Sequence, residues 1–316
     1  MGEFDALANA LENSVRKASE GKNVGVAFSG GLDSGLVSAL ASRYAESVTL
    51  YTCGTNNSFD VKAGEELAGV LGLPWVHCKI GKGNIEQIIR EMVAATKVTD
   101  PFTISYDLQL FCVCKTADQP TILSGQGSDE ILGGAAKFVD QSDEDFRLLM
   151  QAGLERLWDV SVPCERSIAD HFGKELYYPY LTDEVLNVVG GLETALIKPT
   201  SMDNRKIVLK TVATDLGYPF LAHRTKKASQ YGSGTTDLIR AMARADGKRF
   251  NQYIAGICDD VFSGTPMRLR GSVINARIDP IVKAKAERIL SDSGITPAEC
   301  IESLYRKIIE DGCYKP

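Results

Sequence analysis

Short apolar runs alternate with longer amphipathic stretches over the first 130 or so residues of the chain. The apolar runs span residues 24–28, 47–54, 75–80 and 121–125. Stretches with apolar positions three or four residues apart follow them, at residues 35–45, 58–73, 84–97 and 106–117. Short apolar runs predict buried strands, and the wider spacing predicts helices that bury one face. Strands that alternate with helices predict an α/β fold with a doubly wound, mostly parallel sheet.

The pattern changes twice further along the chain. Residues from about 140 to 255 have mainly helical spacing, so we expect residues 1–255 to form an α/β domain with a helical C-terminal part. Residues 268–316 differ, because an alternating run at 272–279 precedes two helical stretches. One strand and two helices in roughly 45 residues cannot bury a sufficient core alone, so this tail is expected to pair with a partner strand.

The first loop, SGGLDS, lies between a predicted strand and a predicted helix. Gly30 and Gly31 allow the backbone to approach an anion closely, and the following helix start presents free N–H groups. Ser29 and Ser34 add hydroxyl donors. Asp33 would repel a phosphate unless a cation lay between them, which favours Mg²⁺. The alternative is a simple glycine turn with a capped helix, but the full six residues in this context favour a phosphate site.

A second loop, SGQGSDEILGG at 124–134, follows the fourth predicted strand. Because the carboxyl ends of parallel strands share one edge of the sheet, Asp33 and Asp129 could share one Mg²⁺ on a triphosphate. A basic segment at 223–234 could supply a lysine that stabilises a departing pyrophosphate. The alternatives are a turn with solvated acids and a solvated basic loop.

Composition excludes several classes of protein. Hydrophobic residues make up 44% and charged residues 24%, which is typical of a globular chain. The net charge of −6 argues against general nucleic-acid binding. No apolar stretch approaches the length of a membrane span, and the N-terminus does not resemble a secretory signal. The eight cysteines contain no CxxC pair, which predicts reduced thiols, a cytoplasmic location and no zinc site. Cys112 and Cys114 lie in an apolar run and are expected in the core.

SGGLDS followed by SGQGSDE resembles the synthetase domain of asparagine synthetases and β-lactam synthetase, in the pyrophosphatase-loop ATP family. The likeness extends to residues 58–77, 165–186 and 224–234, and covers roughly residues 1–250. It implies an adenine nucleotide alpha hydrolase-like fold. It also implies a reaction in which a carboxylate attacks the α-phosphate of ATP, pyrophosphate leaves, and an amine then displaces AMP.

The resemblance implies a role for each matching residue. The catalytic residues would be Lys226, Gln126 and Asp129, with Lys226 stabilising the adenylation transition state. Mg²⁺ would bind Asp33 and Asp129. ATP would be held by the first loop and flanked at the adenosine by the second loop and strand two, through Ser29, Gly30, Gly31, Asp33, Ser34, Cys53, Ser124 and Gly125.

The chain departs from the family pattern in two ways. Asparagine-forming members have Glu where this chain has Gln126, and an amide cannot take a proton at neutral pH. Position 2 is Gly2 rather than a nucleophilic cysteine, and only about twenty residues precede the first strand, so no glutaminase domain is expected. Ammonia would then come from solution or from a separate glutaminase, or the nucleophile would be another amine.

NARIDP followed by two helical stretches resembles the ribbon–helix–helix module of RelB-type antitoxins. The resemblance implies a homodimer whose paired strands enter the DNA major groove, with Asn275 and Arg277 facing the bases. Basic residues concentrate on this side of the tail: Arg268, Arg270, Arg277, Lys283, Lys285 and Arg288. The alternative is a dimerisation module with no DNA target.

The leading hypothesis is an ATP-dependent, AMP-forming amide ligase that acts on a small carboxylate and on ammonia or an amine. One alternative is an ATP-sensing, DNA-binding regulator with a degenerate catalytic site. Another is an RNA-modifying adenylating enzyme.

Overall fold

A computed structural model of the chain describes residues 4–224, 229–263, 274 and 276–312. Within them, five parallel strands form one sheet in the order β3-β2-β1-β4-β5. In the register of the central strand, Val24 pairs with Val48 on one side and with Thr121 on the other. The strands are β1 Asn23–Ala27, β2 Ser47–Thr55, β3 Trp75–Ile80, β4 Thr121–Ser124 and β5 Glu175–Tyr177.

Helices connect and cover the strands. In the first half of the chain they are α1 Asp5–Ser19, α2 Leu32–Ala41, α3 Phe59–Leu71, α4 Ile85–Thr96, α5 Pro101–Thr116 and α6 Ser128–Ile131. The second half contains α7 Asp143–Arg156, α8 Val162–His171, α9 Asp183–Gly190, α10 Thr194–Ile197, α11 Ile207–Asp215, α12 Pro219–Ala222, α13 Ser229–Gly232, α14 Thr235–Ala245, α15 Phe250–Phe262, α16 Pro280–Asp292 and α17 Pro297–Asp311. None of the helices described combines the length and apolar character needed to cross a bilayer.

The sheet buries both faces. Val48 and Leu50 of β2 belong to a core cluster that includes residues of α1, α2 and α11. Tyr51 and Cys53, on the same strand, belong to a second cluster with α4, α5 and α15. Side chains alternate between the faces of a strand, so these two clusters lie on opposite sides of the sheet. The predicted α/β fold with a doubly wound parallel sheet is confirmed.

The short strand β5 was not predicted. The sequence analysis assigned residues from about 140 to 255 to a mainly helical part, and four strands were expected. β5 contains only three residues, Glu175–Tyr177, and lies at the edge of the sheet beside β4. A run this short contains too few positions to reveal an alternating pattern.

The cysteines match the expectation of core thiols. Cys112 and Cys114 are both buried on α5, and neither forms a disulfide. Cys300 is exposed on α17.

Both predicted tail helices are present as α16 and α17. Pro280 occupies the first turn of α16, and Thr296 forms a capping box with Glu299 at the start of α17. The ribbon–helix–helix module itself is not confirmed. Ile274 and residues 276–279 are not assigned to any strand, Arg277 is exposed, and Asn275 lies outside the described residues.

The first tail helix packs against the larger domain. Ala284 of α16 is buried, and Lys285 Nζ lies 2.8 Å from Asp145 Oδ1 of α7. Every residue of α17, a helix described along its full length, is at least partly exposed. The tail thus docks through α16 and leaves α17 on the surface.

Candidate nucleotide-binding site

The two glycine loops meet where the strand order changes direction. The chain moves from β1 to β2 on one side of the sheet, and β4 lies on the other side of β1. Ligands of doubly wound sheets bind outside the carboxyl ends of the strands at such a point. A methyl group on Gly125 would lie 3.0 Å from the backbone nitrogen of Ser34, so the two loops are in close contact. The predicted proximity of the loops is therefore observed.

The first loop leaves a helix start open. Gly31 precedes α2, and among the described residues no side chain caps this end of the helix. The N–H groups of the first turn have no acceptor within the helix, so they can bind an anion. Gly30 has φ +71°, and a methyl group there would overlap the carbonyl carbon of Ala63 on α3. The Ser29 N–H donates to Ser34 Oγ at 3.2 Å, which folds the loop across the helix start.

A buried lysine joins the two acids that were predicted to bind metal. Lys206 Nζ forms an ion pair with Asp33 Oδ1, lies 2.7 Å from Asp129 Oδ1 and donates to Ser128 Oγ at 3.0 Å. The Lys206 side chain is only 8% exposed. Its backbone has φ +56°, an uncommon conformation for a residue with a side chain, just before α11.

Sequence reasoning missed Lys206. The residue stands between a polar segment, SMDNR, and the apolar start of a helix, and belongs to none of the recognised motifs. The ammonium group compensates negative charge that would otherwise accumulate between the two loops.

The acids suit a metal that arrives with a nucleotide. Asp33 and Asp129 both contact the ammonium group of Lys206, whereas the sequence predicts that they share Mg²⁺. Among the described residues, no group of three or more His, Cys, Asp or Glu side chains could hold a metal ion. Mg²⁺ commonly takes one or two carboxylates together with substrate phosphates, and this donor set fits that pattern better than a cage made of protein ligands alone.

Gln126 is held between two residues that the motifs did not reveal. Its Oε1 accepts a hydrogen bond from the Tyr106 hydroxyl at 3.0 Å, and its Nε2 donates to Glu165 Oε1 at 3.0 Å. These contacts fix the orientation of the amide, because one end must accept and the other must donate. Gln126 also lines the cavity that contains Ser29, Asp33 and Ser124. The candidate site therefore extends from the phosphate loop to α5 and α8.

Two buried acids lie at this far end of the site. Burial raises the pKa of Asp107, on α5, to about 7. Burial, together with the negative charge of Asp107, raises the pKa of Glu165, on α8, well above its ordinary value. Burial also raises the pKa of the Tyr106 hydroxyl, which therefore stays protonated.

The basic segment is anchored at both of its described ends. Arg224 Nε donates to the Gly30 carbonyl at 3.1 Å and Nη2 donates to the Ala63 carbonyl at 3.0 Å. At the other end, the Thr55 N–H donates to the Ser233 carbonyl at 2.9 Å. Lys226, the predicted catalytic lysine, lies outside the described residues. The contacts of Arg224 and Ser233 attach this segment to the phosphate loop and to the carboxyl end of β2.

The residues expected beside adenosine share one cavity. Cys53, Ser124 and Gly125 line it together with the first loop. Cys53 is buried, and burial raises the pKa of its thiol, so it contributes an uncharged wall.

Comparison with known sequences supports the resemblance. Residues 6–162 match the family described as asparagine synthase. A presumed glutamine-hydrolysing asparagine synthetase of Methanocaldococcus jannaschii is 29% identical over 289 residues, which cover 78% of this chain and 53% of the relative. Glutamine-hydrolysing asparagine synthetase 2 of Arabidopsis thaliana is 30% identical over 232 residues, which cover 68% of this chain and 40% of the relative. The chain therefore contains an asparagine synthase-like domain, and it spans about half or less of these relatives.

Two solved structures match most of the chain, but at low similarity. NMN synthetase from Francisella tularensis is 12% identical with a TM-score of 0.36, and the match covers 86% of this chain and 96% of that one. A U34-tRNA thiolase from Methanococcus maripaludis is also 12% identical with a TM-score of 0.36, covering 88% and 87%. The fold assignment rests on the sheet topology itself.

Proposed function

We propose that this chain, through its asparagine synthase-like domain, is an ATP-dependent amide ligase that releases AMP and pyrophosphate. Its substrates would be a small carboxylate and ammonia or another amine. One observation carries the proposal: the open start of α2 faces the same cavity as Asp33, Asp129 and Gln126. An anion cradle beside paired acids suits a triphosphate, and the polar residues beyond it leave room for a second substrate.

In the first step, an oxygen of the substrate carboxylate attacks the α-phosphorus of ATP. The bond from that phosphorus to the bridging oxygen breaks, and pyrophosphate leaves. The first loop would hold the departing phosphates with the N–H groups of α2 and the hydroxyls of Ser29 and Ser34. Asp33 and Asp129 would hold Mg²⁺, which supplies positive charge to the phosphates. Lys226 would stabilise charge in the transition state, a role that the anchored flanks Arg224 and Ser233 support.

In the second step, the amine attacks the carbonyl carbon of the acyl-adenylate. A carbon–nitrogen bond forms, the bond from carbon to the phosphate oxygen breaks, and AMP leaves with the electron pair. The nitrogen must also lose a proton. A separate glutaminase is one candidate source of the ammonia. The reduced cysteines favour a cytoplasmic location.

The test is pyrophosphate release from ATP and Mg²⁺ in the presence of a panel of small carboxylates. We expect AMP and pyrophosphate in equal amounts with at least one carboxylate. Asp33→Asn should abolish the reaction, since it removes a charge from the metal and lysine site while keeping the side-chain shape. Asp259→Asn, at an exposed position on α15, is the matched control and should leave the rate unchanged.

A wild-type protein that binds ATP but forms no AMP with any carboxylate would refute the ligase proposal. No contact among the described residues favours the DNA-binding or RNA-modifying alternatives, and they stay predictions.

A further inference from the structure

The floor of the cavity contains two buried carboxyl groups to which the sequence motifs assign no role. Asp107 of α5 is 2% exposed and Glu165 of α8 is 4% exposed. Both line the same cavity as Ser29, Ser34 and Gln126. They therefore face the space beyond the predicted phosphate site.

Each of these groups has an oxygen without a well-formed hydrogen bond, although the Cys164 thiol lies beside Asp107. Asp107 Oδ2 and Glu165 Oε2 are buried without any hydrogen bond from the described residues. The Tyr178 hydroxyl lies beside Glu165 but also makes no well-formed hydrogen bond. Neither acid forms an ion pair with a described lysine or arginine. Burying acceptors in this way is costly unless a donor or a cation completes the site.

The neighbours of the two acids narrow the chemistry of that missing group. Gln126 Nε2 already donates a hydrogen bond to Glu165 Oε1, and the Tyr106 hydroxyl donates one to Gln126 Oε1. The surrounding side chains thus satisfy the amide and leave acceptors unfilled. A group with several N–H donors and a positive charge matches two such acceptors.

We propose that Asp107 and Glu165 bind an ammonium group and that the Asp107 carboxylate takes a proton from it before the nitrogen attacks. The group would be free ammonium or the primary amine of a substrate. The proposal rests on the amide ligase function, for which it names the site of the amine. The first proton would pass from the ammonium nitrogen to the carboxylate oxygen and then to solvent, which frees the nitrogen lone pair. The lone pair then forms the new bond to carbon, AMP leaves with the electron pair of the C–O bond, and the nitrogen loses a second proton to solvent.

The protonation states of the pair agree with this role. Burial raises the pKa of Asp107 to about 7, and burial together with the charge of Asp107 raises the pKa of Glu165 well above its ordinary value. Asp107 is therefore the member of the pair that can take a proton near neutral pH. A base is most effective when its pKa lies near the working pH. The same pair explains why position 126 is a glutamine here. A glutamate there would place a third carboxylate beside two that already compete for protons.

The first test measures binding without any reaction. Thermal unfolding of the full chain is followed during titration with ammonium chloride or methylammonium chloride, and with potassium chloride as the control cation. We expect saturable stabilisation by at least one of the two ammonium salts and none by potassium. Asp107→Asn and Glu165→Gln should each weaken that binding at least tenfold, whereas Glu20→Gln, at an exposed position, should not change it.

Two further titrations identify the source of the group. Glycine and β-alanine are compared with acetate and propionate, which lack the amine. Stabilisation by an ammonium salt assigns the site to the nucleophile. Stabilisation by the amino acids alone would place a non-reacting amine of the carboxylate substrate there and would contradict the proposed proton transfer. No difference between any of these ligands and potassium would overturn the proposal.

A kinetic test separates this inference from the ligase function. Exchange of pyrophosphate into ATP needs only the adenylation step, and amide formation needs both steps. If ammonium is the ligand, Asp107→Asn should retain exchange and lose amide formation by at least tenfold. Equal amide formation in variant and wild type would contradict the proton transfer. Absence of exchange in the wild type would instead remove the proposed function, while leaving the binding measurements valid.

Discussion

At the residue scale, the ammonium group of Lys206 decides the charge of the phosphate site. It contacts both buried Asp33 and partly exposed Asp129, and so places a positive charge between the two loops. The residue reaches this place because its backbone is left-handed at the start of α11. Uncommon backbone conformations of this kind concentrate at functional sites, where surrounding contacts enforce them.

Replacing Lys206 with an uncharged residue should leave the repulsion between Asp33 and Asp129 uncompensated by this ammonium group. Lys206→Met should lower the free energy of unfolding by about 3 kcal/mol, since it removes a buried cation that pairs with buried Asp33 and with Asp129. Added MgCl₂ should restore part of the loss by binding the same acids. Urea unfolding with and without MgCl₂ measures both effects, with Lys307→Met on α17 as the control. A variant as stable as the wild type would show that the ion pairs contribute nothing.

Asp107 should make stability depend on pH. Its folded pKa of about 7 lies above its ordinary value of 3.8, so the native state binds more protons between these values. The free energy of unfolding should therefore fall as pH rises from about 4 to about 7, with a slope of up to about 1.4 kcal/mol per unit. The charged and titratable groups near Asp107 are Cys164 and Glu165 of α8, the hydroxyls of Tyr106 and Tyr178 and, more weakly, Arg156 of α7.

Asp107→Asn should reduce that fall, because the amide does not titrate. Urea unfolding at several pH values from 4 to 8 compares the two proteins. Superimposable pH profiles would contradict the raised pKa.

At the element scale, the phosphate loop is locked onto α3. Gly30 packs against the backbone around Ala63, and Arg224 reaches the carbonyl groups of the same two residues. The helix therefore serves as a wall against which the loop takes its shape.

A pair of glycine substitutions tests the close contact between Gly30 and α3. Gly30→Ala should cost at least about 2 kcal/mol and abolish pyrophosphate release, because the methyl group meets α3 and the positive φ is unfavourable. Gly69→Ala lies in the last turn of α3 with open space around it, so it should stabilise the protein by up to about 0.5–1 kcal/mol. Equal effects of the two changes would refute the close approach.

Elements were easier to predict than the contacts between them. Periodicity located β1 to β4 because their apolar runs are long enough to count, and glycine loops marked the strand ends. Glu165 and Asp107 could not be found in this way, since each is a single acid within an otherwise helical pattern. Only the packing of α5 against α8 brings them to one cavity with Gln126.

At the scale of the whole molecule, the tail presents an apolar stripe. Ile301, Leu304, Tyr305 and Ile309 share one side of α17 and are between 38% and 79% exposed. Exposed stripes of this kind are typical of interaction surfaces. The homodimer predicted from the tail would cover them.

A single charge on the stripe tests the dimer. Leu304→Asp should convert a dimer into a monomer, as measured by light scattering, because a carboxylate cannot be buried there without a partner. Ser303→Asp adds the same charge on the opposite side of α17 and should leave the mass unchanged. A wild-type protein that is monomeric at all concentrations would refute the prediction.

The bond from Arg224 to the Gly30 carbonyl also has a consequence for cooperativity. The residue begins the basic segment, yet it is fastened to the loop that would hold the nucleotide phosphates. A ligand that fixes the loop therefore restricts the segment as well. Linkage between two binding sites is reciprocal. If a carboxylate substrate contacts the segment, it should increase the affinity for the nucleotide by the same factor by which the nucleotide increases the affinity for the carboxylate.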